Sequence, residues 1–171
     1  MIKYSQQDIS DEDIQAVADA LKRDVLTQGP LLVEFESKVA DRVSASYSIA
    51  TNSATSALHL ACIAIGLKKG DIVWTSPISL VASANCALYC GASIDFVDID
   101  PDTALISVDL LEIKLKDAER IGKLPKILIP VHLAGSICDM KRISKLSKKY
   151  GFAVIEDASH AIGATYYDEP V

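Results

Sequence analysis

From residue 47 onward, short apolar segments alternate with longer amphipathic segments, and this alternation limits the possible folds more than any other feature. The strand-like segments are 47–51, 72–75, 94–97, 127–131 and 153–155. The helix-like segments are 56–65, 81–89, 108–121 and 140–150, and each ends at or near a glycine, the common helix stop. Because the strand segments lack polar alternation, both faces of their sheet should be covered, which indicates parallel strands under helices. The sequence therefore predicts an α/β doubly wound sheet with right-handed crossovers.

Two further helices are predicted before this region. Ser10 followed by Asp13 has the pattern of a capping box, in which each side chain bonds the other residue's backbone N–H. Pro30 suits the first turn of the second helix. We therefore predict one domain, with N-terminal helices in residues 1–45 and the alternating core in residues 46–171.

Composition narrows the class of protein. Half of the 171 residues are hydrophobic and 23% are charged, so the chain can bury a core. The net charge of -6 argues against nucleic-acid binding, and Lys145, Lys148 and Lys149 have the spacing of a solvated helix face. No apolar run has the length of a membrane span or a signal peptide. The four cysteines lack metal-ligand spacing. We expect a soluble cytoplasmic protein with free thiols and no metal, nucleic-acid or membrane partner.

Polar residues concentrate where the predicted strands end, and open α/β sheets bind their ligands at those ends. The segment NSATSA follows the first predicted strand and leads directly into a helix. Its backbone N–H groups, together with the hydroxyls of Ser53 and Thr55, can hold a phosphate; alternatively, one of these residues simply caps the helix. The segment is neither a P-loop nor a glycine-rich dinucleotide fingerprint.

The segment FAVIEDASHA brings Asp157 to the end of a buried strand. A carboxylate there is costly to desolvate unless a cation or hydrogen-bond donors meet it. Asp157 therefore has a ligand partner such as a protonated ring nitrogen, or it caps the next turn or pairs with an arginine. His160, three residues later, can contact the same ligand or be structural. His132, after the fourth predicted strand, is interpreted as a hydrogen-bonded structural histidine.

Several motifs occur in the order and spacing of one family of enzymes. They are LTQGP, NSATSALHL, SPISLVASANCALYCGASIDFVDIDPDT, IPVHLAG and VIEDASHAIGATY. The chain resembles the sugar aminotransferases of the DegT/DnrJ/EryC1/StrS family along essentially its whole length. This resemblance implies the large domain of the aspartate-aminotransferase fold (fold type I of pyridoxal-phosphate enzymes), a three-layer α/β domain with a mostly parallel sheet.

The resemblance also implies a reaction. NSATSAL, PIS and SHAIG are most similar to the branch that aminates a UDP-linked 4-keto-6-deoxy sugar in pseudaminic acid synthesis. Enzymes of this kind serve cell-surface or flagellar sugar biosynthesis. The implied cofactor is pyridoxal 5′-phosphate, and the implied amino donor is glutamate. The family further implies a homodimer.

Individual residues acquire expected roles from the same resemblance. Ala54 and Thr55 match positions that hold the cofactor phosphate, and Ser53 can add a hydroxyl donor there. Asp157 matches the carboxylate that pairs with the pyridine nitrogen and keeps it protonated. His160 matches a position beside the phenolic oxygen of the cofactor.

Two further positions concern the ring face and the substrate. Leu80 stands where the family usually stacks an aromatic ring on the pyridine, and losing that stacking is worth ~1 kcal/mol. Thr27, in LTQGP, lies in a segment that borders the substrate pocket in the family.

Besides Leu80, the chain differs from the family pattern in a second way, which concerns catalysis. The family's Schiff-base lysine follows the EDASHA motif in a segment that would lie beyond Val171, and no lysine of this chain has a matching context. We therefore expect no catalytic residue within the chain. We also expect the C-terminal small domain to be missing, and the chain to be an inactive N-terminal part of a longer enzyme.

Three other functions stay open at this point. Some family members carry histidine in place of the lysine and dehydrate the sugar. A non-catalytic binding module of the same fold is a second alternative. A nicotinamide-dependent oxidoreductase is the third, and the absence of a glycine fingerprint after the first predicted strand counts against it.

Overall fold

The computed structural model describes residues 7–171. Their contacts divide the chain into two compact units. The first contains the described residues up to Asp41 together with residues 45–50. The second contains residues 42–44 and 51–171 and includes every strand described between residues 7 and 171.

Two helices form most of the first unit. Helix α1 spans Asp11–Leu21, and helix α2 spans Pro30–Arg42. The Asp13 N–H donates to Ser10 Oγ at 3.2 Å, and the Ser10 N–H donates to Asp13 Oδ2 at 2.8 Å, so the predicted capping box is confirmed. The predicted start of α2 at Pro30 is also confirmed.

The strand predicted for residues 47–51 is wrong. These residues belong to no helix or strand, and the side chains of Tyr47 and Ile49 are 89% and 80% exposed. The Ala50 N–H donates to Glu36 Oε1 at 2.8 Å, a side chain rather than a neighbouring strand. A strand needs a ladder partner for its backbone groups, and no described segment pairs with this one.

Four parallel strands form the centre of the second unit. They are β1 (Ile72–Thr75), β2 (Ser93–Phe96), β3 (Ile127–Ile129) and β4 (Ala153–Val154). The four strands predicted at these positions are confirmed, some with shorter bounds. Their order in the sheet is β2-β1-β3-β4, so the chain leaves β1 toward one side and later returns to its other side. Near the C-terminus, β5 (Thr165–Tyr166) and β6 (Glu169–Pro170) form a separate antiparallel pair.

Four helices accompany the parallel sheet. They are α3 (Ala54–Ala64), α4 (Ala82–Tyr89), α5 (Val108–Arg120) and α6 (Met140–Tyr150), close to the predicted bounds. Helix α6 ends at Gly151 in the left-handed conformation, and its lysines Lys145, Lys148 and Lys149 are exposed as predicted. None of the helices described between residues 7 and 171 is long and apolar enough to cross a membrane.

The central strands have a helix layer on each face. Trp74 of β1 and Leu128 of β3 pack in a cluster with residues of α5 and α6. Val73 and Ile127 point the other way and pack in a cluster with residues of α3 and α4. Successive side chains of a strand point to opposite faces, so strands with apolar residues at every position need cover on both. The predicted three-layer α/β architecture with a parallel sheet is confirmed.

Trp74 is the single tryptophan of the chain and lies at the centre of this arrangement. Its side chain is 2% exposed. The Lys114 ammonium lies 4.8 Å from the centre of its ring and 2.7 Å from a carboxylate oxygen of Asp95 on β2. A cation over an indole face is attracted by the ring electrons, so Lys114 links α5 to the first two strands.

Two neighbouring residues of α5 test the assignment of the core. Leu115 is fully buried, whereas Ile113 is 55% exposed. We expect Leu115→Ala to lower the free energy of unfolding by about 2–4 kcal/mol, because it removes buried methyl groups and leaves a cavity. The matched change Ile113→Ala should cost less than about 1 kcal/mol. Urea denaturation followed by circular dichroism measures both, and equal losses would contradict the assigned core.

Candidate functional site

A pocket lies at the carboxyl ends of β1, β3 and β4, within the second unit. Its walls come from the loops after these strands and from the first turn of α3, and they include Ala54, Ser79, Leu80, His132, Asp157 and His160. The pocket is open to solvent on one side, and its empty volume of about 410 Å³ includes part of that open solvent. The pocket lies where the strand order reverses between β1 and β3, the position at which open parallel sheets bind ligands.

Asp157 is a buried carboxylate of the pocket, with 6% of its surface exposed. The Ser83 hydroxyl donates to Oδ2 at 2.6 Å, and the Ser159 hydroxyl donates to Oδ1 at 2.6 Å. The Ser159 N–H also reaches Oδ1 at 3.3 Å, which is the turn-capping contact that the sequence allowed. Among the ion pairs formed by residues 7–171, none involves Asp157. Only neutral donors hold the carboxylate.

The backbone of Asp157 is fixed as firmly as its side chain. Its N–H donates to the Pro130 carbonyl at 2.9 Å, and its carbonyl accepts from the His132 N–H at 3.0 Å. These bonds extend the parallel pairing of β3 and β4 beyond the ends of both strands. These two backbone bonds therefore fix the point on the sheet edge from which the Asp157 side chain extends.

Ser83 connects Asp157 to a second hydroxyl. Ser79 Oγ lies 2.7 Å from Ser83 Oγ, and the Ser83 side chain is fully buried. Sequence reasoning did not select Ser79, Ser83 or Ser159 as site residues. A usable signal was the four-residue spacing in SPISLVAS, which brings two hydroxyls onto one side of a helix start.

The protonation pattern of His160 follows from its neighbour. The Ala134 N–H donates to His160 Nδ1 at 3.3 Å, so the neutral ring carries its proton on Nε2. Ala134 has φ 54°, a left-handed conformation that is unfavourable for alanine. The imidazole is exposed at the pocket, and Nε2–H is therefore a donor for a bound oxygen atom.

His132 is a hydrogen-bonded structural histidine, as predicted. Its side chain is fully buried, and Nδ1 accepts from the Cys138 N–H at 3.3 Å. Nε2 lies 3.0 Å from Glu156 Oε2 and donates to it, because Nδ1 is already an acceptor. The ring thus ties the loop after β3 to the end of β4.

At the start of α3, the capping interpretation of NSATSA is confirmed, and its role in holding a phosphate stays a prediction. Ser53 is the helix cap, with its hydroxyl accepting from the Ser56 N–H at 3.2 Å. The N–H groups of the first helical residues, Ala54 and Thr55, have no acceptor within the helix. Ala54 lines the pocket, whereas Thr55 does not contribute to its wall.

Of the two remaining expected site residues, Leu80 lines the pocket and Thr27 does not. Leu80 lies at the pocket and is 71% exposed. Thr27 lies in the first unit, in the connection between α1 and α2, and its proposed role beside the substrate stays a prediction.

The four cysteines are free thiols, and only Cys90 has appreciable exposure. Burial raises the pKa of the Cys138 thiol to about 11. Within the described residues, no group of three or more histidine, cysteine or carboxylate side chains could hold a metal ion.

The fold and the pocket define a three-layer α/β domain that has a buried carboxylate in a pocket at the switch point of a parallel sheet. The sequence profile of the DegT/DnrJ/EryC1/StrS aminotransferase family matches residues 7–171. The chain belongs to this family.

Individual proteins show the same similarity. The chain is 41% identical over 171 residues to the UDP-4-amino-4,6-dideoxy-N-acetyl-beta-L-altrosamine transaminase of Campylobacter jejuni, and it spans 44% of that protein's length. Helicobacter pylori PseC, an aminotransferase involved in the biosynthesis of pseudoaminic acid, superposes with a TM-score of 0.89 at 30% identity, over 99% of this chain and 44% of PseC. The PLP-form of the sugar aminotransferase Spr1654 of Streptococcus pneumoniae superposes with a TM-score of 0.86 at 30% identity. The superposition covers 99% of this chain and 45% of Spr1654.

Alanine substitutions at two glycines test how closely the loop after β3 approaches His160. Gly135 and Gly122 both have positive φ, 84° and 66°. A Cβ on Gly135 would lie 3.2 Å from the His160 carbonyl oxygen, whereas a Cβ on Gly122 would meet nothing within 4 Å. Both alanine variants should lose about 1–2 kcal/mol from the left-handed backbone. We expect Gly135→Ala to lose more and to shift the His160 ring resonances in NMR spectra. An equal loss with unchanged His160 resonances would contradict this close approach.

Proposed function

We propose that this chain binds pyridoxal 5′-phosphate in the pocket and forms the cofactor-binding part of a nucleotide-sugar aminotransferase. The observation that carries the proposal is the Asp157 carboxylate, which is buried and has only hydroxyl and N–H donors around it. A buried negative charge without a basic side chain beside it favours a cationic ligand. A protonated pyridine nitrogen is such a cation.

The other walls of the pocket fit the remaining groups of this cofactor. The first turn of α3 reaches the pocket at Ala54, with Thr55 next to it outside the wall, and its N–H groups and the positive end of the helix dipole suit a phosphate. His160 Nε2–H suits the phenolic oxygen, because Nδ1 is occupied by the Ala134 N–H. Leu80 supplies an apolar side chain for one face of the ring.

When bound, pyridoxal 5′-phosphate supplies an electron sink that eases the removal of a proton from an amine-bearing carbon. In this proposal, Asp157 holds the proton on the ring nitrogen, which keeps the ring a strong electron acceptor. His160 donates its Nε2 proton toward the phenolic oxygen and orients the ring. The α3 N-terminus fixes the phosphate, so that the ring is held at both ends.

The proposed substrates come from the similar proteins. The Campylobacter relative is named as a transaminase of a UDP-linked 4-amino-4,6-dideoxy sugar, and PseC as an aminotransferase in pseudoaminic acid biosynthesis. We assign the acceptor to UDP-linked 4-keto-6-deoxy sugars and the amino donor to glutamate, with a homodimer as the working assembly.

No lysine lines the pocket of the described chain, and Lys145, Lys148 and Lys149 are exposed on α6. The proposal therefore assigns binding and activation of the ring to these residues, and not proton transfer by a lysine.

Titration of the chain with pyridoxal 5′-phosphate, followed by absorbance, tests this function. We expect saturable binding that Asp157→Asn weakens at least about tenfold, because the amide keeps the shape of the side chain but loses its charge. Asp168→Asn, in the exposed turn between β5 and β6, is the matched control and should bind as the native chain does. Borohydride reduction should leave no adduct at one defined lysine. Equal binding by Asp157→Asn and the native chain would contradict the proposal.

A second ligand tests the phosphate end of the pocket separately. Pyridoxal has the same ring and aldehyde but lacks the phosphate that the α3 N-terminus is proposed to hold. We expect it to bind at least about tenfold more weakly than pyridoxal 5′-phosphate, since charge-assisted hydrogen bonds are lost. Competition between the two ligands measures the difference. Similar affinities would show that α3 does not contribute to binding.

A further inference from the structure

We infer that Ser83, oriented by Ser79, is a positioning residue that fixes the direction in which Asp157 presents its carboxylate. The inference rests on the proposed function, because the direction matters for the ring nitrogen of the bound cofactor. It adds a role for two hydroxyl groups that the family resemblance did not mark.

The hydrogen bonds along this chain of groups have one direction. A carboxylate only accepts, so Ser83 must donate its single hydroxyl proton to Asp157 Oδ2, at 2.6 Å. Ser83 Oγ can then only accept from its other neighbour, and Ser79 must donate to it at 2.7 Å. The short distance to Oδ2 is typical of a bond to a charged acceptor. Ser79, Ser83 and Asp157 thus form a directed relay that begins at the pocket wall and ends on the carboxylate.

The two serines that contact Asp157 differ in what they can fix. Ser159 lies two residues away on the same loop and holds Oδ1 through a local turn. Ser83 lies 74 residues away, on α4, and is fully buried. Carboxylates rotate easily about the Cβ–Cγ bond. Holding one oxygen from its own loop and the other from α4 prevents this rotation and sets the plane of the group.

The fold itself does not need a hydroxyl at residue 83. Serines in helices commonly bond the carbonyl one turn earlier, and Ser83 instead donates to Asp157 on the loop after β4. Its neighbours Ala82, Ala84 and Ala87 show that small apolar side chains suit this helix. Burying a hydroxyl there is unfavourable unless its bond is used. In this structure the Ser83 hydroxyl donates its proton to Asp157, and that bond accounts for a buried serine at this position.

Pyridoxamine 5′-phosphate with a nitrogen-15 label in its ring is the probe for the experiment, because it binds without an aldehyde. Affinity is measured by calorimetry, and the ring-nitrogen chemical shift reports whether that nitrogen is protonated. Ser83→Ala should weaken binding about tenfold and move the shift toward that of neutral pyridine, since an unfixed carboxylate aligns poorly with the ring N–H. Ser79→Ala should change both readouts in the same direction by a smaller amount.

Ser147→Ala is the matched control. The Ser147 hydroxyl also makes a 2.6 Å bond, to the Phe152 carbonyl, but on α6 away from the pocket. Ser147→Ala should leave the affinity for the probe and the ring-nitrogen chemical shift unchanged. Circular dichroism checks that each variant is folded, and if Ser83→Ala does not fold, Ser79→Ala decides. Native affinity and native shift in the folded serine variants would overturn the inference alone. A native chain that does not bind the probe would instead overturn the proposed function and, with it, this inference.

Discussion

The pairing of β1 with β3 is the contact on which the pocket depends. The strands are in register from Val73 opposite Ile127 to Thr75 opposite Ile129, and the Thr75 hydroxyl closes the pairing by donating to the Ile129 carbonyl at 2.8 Å. Because both strands end at one level, the loops that follow them begin side by side. One loop leads to Ser83, and the other carries the backbone that holds Asp157. A shift in this register would separate the groups that the pocket brings together.

Most of the fold could be predicted from the sequence because its local signals agree with its packing. The lack of polar alternation in β1 and β3 predicted two covered faces, and these strands contact helices on both. Helix starts at Ser10 and Pro30 followed from capping chemistry. The segment 47–51 has the same strand-like composition but makes no ladder. Composition reports only that a segment could pair; whether a partner is present is decided by distant parts of the chain.

The candidate site divides along similar lines. Asp157 and His160 were found because they follow a predicted strand, and the ends of parallel strands meet at one edge. Ser83 was not found, since its partner lies 74 residues away. The proton position on His160 depends on Ala134, whose left-handed backbone no sequence rule assigns to alanine. Residues that carry charge are visible in a sequence, whereas the neutral groups that orient them become visible only after the chain is folded.

The position of Trp74 gives the chain an internal optical reporter. This single indole lies on β1, the strand that leads directly into one wall of the pocket, and it is 2% exposed. Its emission shifts to longer wavelength when water reaches the central strands, so fluorescence follows the loss of the sheet without a label. Pyridine rings conjugated to an aldehyde absorb where indole emits. Energy transfer to such a ring would dim the emission without shifting it, so colour and brightness would separate unfolding from occupation of the pocket.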